Sequence, residues 1–334
     1  MTRFAVELSD LKKSFRVRRA RKGALFARMQ DFVAPRTECA VAVDGISFGI
    51  ERGERVAFIG PNGAGKSTTL KLLSGILSPD SGTASVLGLV PWRDRRKLAY
   101  RLGTVFGQRS QLWYHLPVRD TFTLLASVYE VDAARHARRF AELSSTFELE
   151  GLLSTPVSKL SLGERMRAEI VASLLHEPEL LLLDEPTIGL DVTAKALVRD
   201  LLARMAETEG VTLLLTSHDT GDIEEVCDRV VVIHGGRLLW DGSIAALRRT
   251  YVRSQTLVLS SSVETLSLTL PGARVTRSSP YRVELELDLE LTSVGAVVDA
   301  AQRQGAIKDL SVTDPALDDV IRAFYAEADR KAAS

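Results

Sequence analysis

The stretch Gly60-Pro-Asn-Gly-Ala-Gly-Lys-Ser-Thr68 decides how the central part of the chain folds. Its two outer glycines and the Lys-Ser pair have the G-x-x-x-x-G-K-[ST] spacing of a phosphate-binding loop. The apolar run 56–59 before the loop predicts a buried strand, and leucines at 70, 73 and 77 recur at helical spacing after it. A strand entering and a helix leaving such a loop point backbone N–H groups at one place. A phosphate group fits there.

The loop also carries the side chains that a nucleotide phosphate needs. We expect Lys66 to reach the β- and γ-phosphates and the Ser67 hydroxyl to hold Mg²⁺. The loop alone leaves kinases, GTPases and ATPases open as alternatives. The residues predicted to bind the nucleotide are Gly60, Pro61, Asn62, Gly63, Ala64, Gly65, Lys66, Ser67 and Thr68.

Five further segments follow the loop in order: Gln108 at the end of the run 103–108, Leu160-Ser-Leu-Gly-Glu164, Leu180-Leu-Leu-Leu-Asp-Glu-Pro186, Gly189-Leu-Asp191 and Ser217-His218. With this order and spacing, residues 4–247 resemble the nucleotide-binding subunits of ABC transporters. The resemblance makes Gln108 the Q-loop residue and a metal contact, 160–164 the signature, 180–185 the Walker B strand, 188–191 the D-loop and His218 the switch histidine. It implies an ATPase with ATP and Mg²⁺ as ligands.

The Walker B and switch residues have a chemical reason for their positions. The leucine run before Asp184 predicts a strand buried on both faces, and the carboxyl end of such a strand faces the ligand crevice. Asp184 is therefore placed to hold Mg²⁺, and Glu185 is our candidate for the base that polarises the attacking water. His218 ends the next apolar strand, 212–215, and is predicted to contact the γ-phosphate. Glu185 and His218 are the predicted catalytic pair.

The signature departs from the family's common Leu-Ser-Gly-Gly-Gln form, because Leu162 replaces the first glycine and Glu164 replaces the glutamine. Ser161 still offers a hydroxyl, and Gly163 still allows close backbone approach. A carboxylate beside a phosphate is unfavourable, so Glu164 is expected to point elsewhere. In the family this segment serves the nucleotide of the other subunit. The resemblance thus implies two ATP molecules held between two such chains, most simply a homodimer, with Asp191 in the D-loop.

Composition excludes several other classes of protein. The 334 residues carry 43 basic and 43 acidic side chains, so net charge does not indicate a nucleic-acid partner. Two cysteines make no disulfide framework. The N-terminus has no signal-peptide pattern, and no apolar run approaches the roughly 18 residues that span a bilayer. We expect a separate membrane permease as partner and a peripheral location at the cytoplasmic face of the cell membrane.

The predicted fold class is α/β. It comprises a P-loop ABC ATPase domain over residues 1–247 and a small C-terminal α+β domain over 250–334. The ATPase domain is expected to have a RecA-like core sheet, an antiparallel β part and a mainly helical subdomain at 111–178. In the second domain, runs at 255–260 and 282–289 alternate like strands, and helices are expected at 294–304 and 316–327. Phe15, after a first strand at 4–8, occupies the place where the family stacks an aromatic on adenine; the alternative is a core position.

The insertion at 16–40 combines charge with an apolar stripe. Residues 12–36 hold nine Lys or Arg and one acid, Asp31. Leu25, Phe26, Met29, Phe32 and Val33 recur on one face of a helix. Basic residues beside such a stripe suit an anionic membrane surface. The alternatives are a contact with the permease, including its cytoplasmic mouth, and packing against the ATPase core.

The kind of transporter is indicated by three short stretches: 90–92, 110–114 and 159–167. They resemble the ATPases of ABC-2 type viologen and multidrug exporters. In such subunits the stretch around Trp113 meets the permease, and an exposed Trp-Tyr pair is typical of an interface; the alternative is that Trp113 and Tyr114 fill the helical core. A polysaccharide exporter of the O-antigen or teichoic-acid type is the second candidate. A soluble, non-transport ABC ATPase is disfavoured by the single motif set and by the lack of heptads between Lys66 and Asp184.

Overall fold

The computed structural model describes residues 3–18, 37–107, 110–251 and 254–333. The chain forms two compact units, Met1–Ser243 and Ile244–Ser334. The first unit contains strands β1 (Phe4–Arg18), β2 (Thr37–Glu51), β3 (Arg55–Ile59), β4 (Ser81–Val86), β5 (Leu102–Phe106), β6 (Leu180–Asp184), β7 (Thr212–Thr216), β8 (Arg229–His234) and β9 (Arg237–Ser243). Its helices are α1 (Lys66–Leu73), α2 (Arg95–Ala99), α3 (Val118–Val128), α4 (Ala133–Thr146), α5 (Leu162–Leu174), α6 (Val192–Glu209) and α7 (Thr220–Val226).

A six-stranded sheet forms the centre of the first unit, in the order β5-β6-β7-β3-β8-β9. All neighbours are parallel except β8 and β9, which form a hairpin at Gly235-Gly236. The four leucines of β6 are fully buried, as expected for a strand covered on both faces. Full burial of one such side chain stabilises the fold by about 1.5–3 kcal/mol. The parallel strands end at one edge of the sheet, which positions the residues that follow them.

A second, antiparallel sheet has the order β2-β1-β4. Strand β1 is longer than the predicted 4–8 and continues through Phe15 to Arg18, where it pairs with Thr37 in β2. The described ends of the predicted insertion at 16–40 are therefore strands of this sheet. Residues 16–18 and 37–40 belong to paired strands, because each continues the antiparallel ladder of the sheet. The apolar stripe predicted at 25–33 lies outside the described residues.

The part between β5 and β6 is mainly helical. It contains α3, α4, two short 3₁₀ turns at Glu150–Leu152 and Val157–Lys159, and α5. Phe122 and Phe147 are fully buried there, and Phe122 and Phe140 meet edge to face at 5.9 Å. In the described parts of the chain, no helix is both long and apolar enough to cross a membrane.

The second unit is an α+β fold. Its strands are β10 (Ser254–Ser261), β11 (Ala273–Ser279), β12 (Arg282–Asp288) and β13 (Ile307–Thr313), and its helices are α8 (Ile244–Tyr251), α9 (Val294–Gln302) and α10 (Leu317–Ala333). The strands form an antiparallel sheet in the order β11-β12-β10-β13. Alternate residues of β10 and β12 enter a core with Val297 and Ala301 of α9. Strand β11 was not predicted, because most of its side chains are exposed and show no apolar alternation.

Candidate active site

The phosphate-loop sequence lies between β3 and α1 and is held by its own backbone. Ala64 donates its N–H to the carbonyl of Pro61 at 3.0 Å, and its carbonyl accepts from the N–H of Gly236 at 3.1 Å. Gly65 has a φ of 106°, and a Cβ there would lie 2.2 Å from the carbonyl oxygen of Ala42. Only glycine fits both the left-handed conformation and the close approach. The curvature of the loop is thus determined by its neighbours in β2 and at the β8–β9 hairpin.

Lys66 begins α1 and turns its side chain back over the loop. Its ammonium donates to the carbonyl of Gly60 at 2.6 Å, and only 6% of the residue is exposed. Burial lowers the pKa of Lys66, and the carboxylates of Glu185 and Asp184 oppose that shift. A buried cation flanked by acids sits where several phosphate charges would be strongly attracted.

Asp184 and Glu185 follow each other at the carboxyl end of β6. The Thr216 hydroxyl, at the end of β7, donates to Oδ1 of Asp184 at 2.7 Å. Glu185 donates its backbone N–H to the carbonyl of Thr216 at 3.0 Å and has a left-handed φ of 54°. A non-glycine residue in that region costs on the order of 1–3 kcal/mol, and such strain clusters at functional sites. The left-handed backbone at Glu185 thus turns its carboxylate away from that of Asp184.

His218 brings these groups together. Its Nε2 lies 3.1 Å from Nζ of Lys66 and 3.0 Å from Oε1 of Glu185. The three side chains come from the carboxyl ends of β3, β7 and β6, which are neighbours in the sheet. The cation, the acid and the histidine predicted from separate motifs therefore meet at one point of the structure.

The signature residues form a different site at the start of α5. The Ser161 hydroxyl accepts from the backbone N–H of Glu164 at 3.3 Å, and the Glu164 carboxylate accepts from the N–H of Ser161 at 2.8 Å. This is a reciprocal capping box, which explains why Glu164 points back to its own helix. A Cβ on Gly163 would lie 3.0 Å from Cβ of Ala194 in α6, so only a small residue fits there.

A groove runs between the starts of α5 and α6. We call it the signature groove, and its lining includes Ser161, Gly163, Glu164, Gly189, Asp191 and Ala194. Asp191 caps α6 by accepting from the N–H of Ala194 at 2.8 Å. Three exposed apolar side chains, Leu162, Ile188 and Val192, accompany the groove and form what we call the apolar rim. Val192 is 84% exposed.

Comparisons with known proteins agree with this arrangement. Residues 43–188 match the family model described as ABC transporter. "ABC transporter ATP-binding protein NatA" of Bacillus subtilis (strain 168) is 30% identical over 206 residues, which cover 62% of this chain and 83% of that protein. The chain belongs to the ABC transporter family. Proteins of this kind are ATPases coupled to transmembrane transport, so this ABC chain binds and hydrolyses ATP.

Two further comparisons cover the same region of the ABC chain. The "Nod factor export ATP-binding protein I" of Burkholderia orbicola (strain AU 1054) is 38% identical over 212 residues, which cover 62% of this chain and 67% of that protein. A solved structure described as "Structure of ATP binding subunit of ABC transporter" is 30% identical and superposes with a TM-score of 0.59. The match covers 74% of this chain and 93% of the solved one. The α/β P-loop fold predicted from the sequence is confirmed.

Phe15, Trp113 and Tyr114, which were also singled out from the sequence, lie outside these clusters. Phe15 is exposed on β1 and pairs with Ala40 in β2. Two residues further along β2 is Ala42, whose carbonyl oxygen lies against Gly65 of the phosphate loop. Phe15 is 37% exposed and is therefore not buried in the core of this unit. Trp113 and Tyr114 are 42% and 55% exposed, so they do not fill the helical core. Gln108 lies outside the described residues.

Sequence reasoning missed two residues that arrange the site of this ABC ATPase. Thr216 is hydrogen-bonded to both Asp184 and Glu185. The sequence feature that could have pointed to Thr216 is its place at the end of β7, just before Ser217-His218. Asp222 is the second: it is buried and hydrogen-bonded to Ser217, beside the switch histidine. An acid in the helix after the switch histidine has no motif of its own, and only the fold reveals its partners.

Proposed function

We propose that the chain is the MgATP-hydrolysing subunit of an ABC-2 type exporter and works at the cytoplasmic face of the membrane with a separate permease. The observation that carries this proposal is the meeting of Lys66, Glu185 and His218 at the carboxyl ends of three neighbouring strands. Export rather than import is supported by the relative named for Nod factor export. Substrate choice is left to the permease.

In the proposed reaction, water attacks the γ-phosphorus and the bond to the β–γ bridging oxygen breaks, which yields ADP and phosphate. Glu185 orients the water and accepts its proton. Lys66 neutralises charge on the β- and γ-oxygens, and His218 holds the γ-phosphate next to Glu185. The backbone N–H groups of the phosphate loop, apart from Pro61, and those at the start of α1 bind the phosphates, and Phe15 stacks on the adenine.

The donors around the phosphate loop fit a magnesium ion. Mg²⁺ prefers oxygen ligands, and Ser67 at the start of α1 and Asp184 at the end of β6 supply a hydroxyl and a carboxylate. The Thr216 hydroxyl already fixes Oδ1 of Asp184, which leaves the other carboxylate oxygen for the ion or its water. The bound ion would neutralise phosphate charge, and Gln108 is proposed as a further contact. Chelation by EDTA should therefore stop hydrolysis, and added Mg²⁺ should restore it.

A second copy of the chain completes the proposed site. Ser161 and Gly163 line the signature groove with small groups that allow a phosphate to approach, and Asp191 lies at its other side. The apolar rim beside the groove suits a face that becomes covered. We propose that this groove binds the γ-phosphate of ATP held by Lys66 of the other copy, so that a homodimer holds two ATP molecules.

The permease is proposed to dock at the segment after β5, where Trp113 and Tyr114 are exposed. Large aromatic side chains are enriched where interfaces gain most of their binding energy. To test the proposal, the chain is produced together with a candidate ABC-2 type permease from the same genome, and co-purification and ATP hydrolysis are measured. Trp113→Ala combined with Tyr114→Ala should abolish co-purification and leave hydrolysis by the isolated chain unchanged. Val128→Ala is the matched control, because Val128 is also exposed in the helical part.

The basic insertion at 16–40 is proposed to face the membrane or the permease. Its described ends are paired strands that continue the β1–β2 ladder. Deletion of residues 18–36 should leave melting and ATP hydrolysis of the isolated chain nearly unchanged and should weaken its recovery with permease-containing membranes. If the deletion unfolds the isolated chain, the segment packs on the core and the interface hypothesis is wrong.

A further inference from the structure

Asp222 is a fully buried carboxylate on α7, and three side chains donate hydrogen bonds to it. Its Oδ2 accepts from the hydroxyls of Thr187 and Ser217. Its Oδ1 accepts from Nε of Arg199 in α6 at 2.6 Å. An ionised carboxylate is stable at such depth only when it is paired and fully hydrogen-bonded, as it is here.

The two hydroxyl donors come from the segments that carry the proposed catalytic groups. Thr187 is two residues after Glu185, in a turn closed by the bond from the N–H of Ile188 to the carbonyl of Glu185 at 3.2 Å. Ser217 directly precedes His218. The Ser217 hydroxyl also accepts from the N–H of Asp219 at 2.9 Å. Its oxygen lies 2.5 Å from Oδ2 of Asp222 and 3.3 Å from the carbonyl oxygen of Asp219, so Asp222 is the nearer acceptor for its proton. One carboxylate oxygen therefore ties the two segments together.

Arg199 holds the Asp222 carboxylate in place through its other oxygen, Oδ1. Its Nη2 donates to Asp219 at 2.7 Å and its Nη1 to Glu225 at 3.2 Å. A Cβ on Gly221 would lie 2.5 Å from Nη1, so the start of α7 packs directly on the guanidinium. Burial opposes ionisation of Asp219, but the bond from Lys195 and the charge of Arg199 keep its pKa below the usual range.

We propose that Asp222 is a positioning residue for ATP hydrolysis. Through Thr187 and Ser217 it fixes the separation between Glu185 and His218, which is 3.0 Å between Oε1 and Nε2. The inference rests on the proposed function, since it assigns Glu185 and His218 their roles. Catalytic groups must be held within about 0.5 Å of their productive geometry, and a misplacement of about 1 Å can cost roughly 100-fold in rate.

Four purified variants test the proposal by steady-state ATP hydrolysis, with melting measured alongside. Asp222→Asn keeps the size of the side chain but replaces acceptor capacity with an amide donor. Thr187→Val with Ser217→Ala removes both hydroxyls and keeps the Asp222–Arg199 pair. The third variant combines all three changes, and Glu225→Gln is the control that alters only the exposed arm of the Arg199 network.

We expect kcat to fall at least about tenfold in Asp222→Asn and in the double hydroxyl variant, with KM for ATP within about twofold because the phosphate loop is untouched. The triple variant should lose no more than about threefold beyond Asp222→Asn, since all three groups act as one unit. Glu225→Gln should keep the parental kcat.

Three results would overturn the positioning role. They are a parental kcat in the double hydroxyl variant, losses that multiply in the triple variant, and an equal loss in Glu225→Gln. Each would reduce Asp222 to a structural partner of Arg199. If Asp222→Asn does not fold, the double hydroxyl variant decides alone, because it leaves the buried ion pair intact. A parental protein that neither binds nor hydrolyses MgATP would instead contradict the proposed function.

Discussion

The phosphate-loop side and the signature side of the ATPase unit satisfy their polar groups in different ways. On the first side, His218 lies within hydrogen-bond distance of both Lys66 and Glu185, next to the phosphate loop. On the second side, Ser161, Glu164 and Asp191 cap the starts of their own helices. Beside them lies an apolar rim with Val192 almost fully exposed. The first side is the proposed reaction centre, and the second is the proposed contact with another copy of the chain.

This difference explains why one chain carries all the motifs but presents them at two sites. The phosphate-loop residues follow strands of one sheet, so the fold itself brings them together. The signature groove lies between the starts of α5 and α6, where small residues such as Ser161 and Gly163 line it beside the helix-capping carboxylates of Glu164 and Asp191. In the proposed dimer, a second copy presents a phosphate to this surface.

The largest expected effect is on the affinity for nucleotide, which should depend on the phosphate-loop side. Lys66→Ala removes the buried cation of the phosphate loop, so affinity for MgATP should fall by about 100-fold or more, given the strength of charge-assisted bonds to phosphate. Lys71→Ala is the control, because Lys71 is an exposed cation on the same helix. Titration of each purified variant with MgATP measures the change. Affinity retained by Lys66→Ala would mean that this loop does not hold the phosphates.

Within the phosphate-loop side, the rate of hydrolysis distinguishes a loss of catalysis from a loss of ATP binding. Glu185→Gln keeps the shape of the side chain but removes the proton acceptor, so kcat should fall by about 100-fold or more while ATP affinity changes little. Glu177→Gln is a matched control, since Glu177 also has a left-handed φ, 55°, and pairs with Arg135 at the surface. Hydrolysis by Glu185→Gln at the parental rate would show that another group takes the proton.

On the signature side, we expect a substitution in the apolar rim to disrupt dimerisation. Val192→Asp places a charge on the rim, so ATP-dependent dimerisation should be lost and hydrolysis per chain should fall about tenfold, because an unpaired charge at an interface is costly. Binding of MgATP to the single chain should persist. Val128→Asp changes an equally apolar, exposed position in the helical part. Sedimentation with MgATP measures dimerisation, and a Val192→Asp dimer as stable as the parent would remove the rim from the interface.

The smallest expected effect concerns the capping box. Glu164→Ala should lower the free energy of unfolding by about 1 kcal/mol, as loss of a helix cap does, and Glu164→Gln should not, because glutamine also completes the box. Denaturant titration of both variants measures the difference. Both should bind MgATP normally. A complete loss of hydrolysis in the well-folded Glu164→Ala dimer would mean that Glu164 contacts the nucleotide instead.

The two sides also differ in how much of them could be predicted from the sequence. The phosphate loop, the leucine strand before Asp184 and the strand before His218 have strong local patterns, so their elements were predicted correctly. The partners of those residues are distant in sequence: Thr216 bonds to Asp184, and Asp222 bonds to Thr187. Such contacts depend on strand order and helix packing. Local pattern also failed at β11 and at the ends of the insertion, where pairing rather than apolar periodicity makes the strands.

The most direct test of the central claim mixes two inactive variants. Lys66→Ala lacks a working phosphate loop, and Ser161→Arg blocks the signature groove with a bulky cation. Each alone should hydrolyse ATP at a small fraction of the parental rate. A mixed dimer holds one site with an intact loop from Ser161→Arg and an intact groove from Lys66→Ala, so mixing should restore up to about a quarter of the parental activity at equal amounts and random pairing. Ser161→Arg protein that is fully active as a dilute single chain, or mixtures no more active than their parts, would contradict a site shared between two copies.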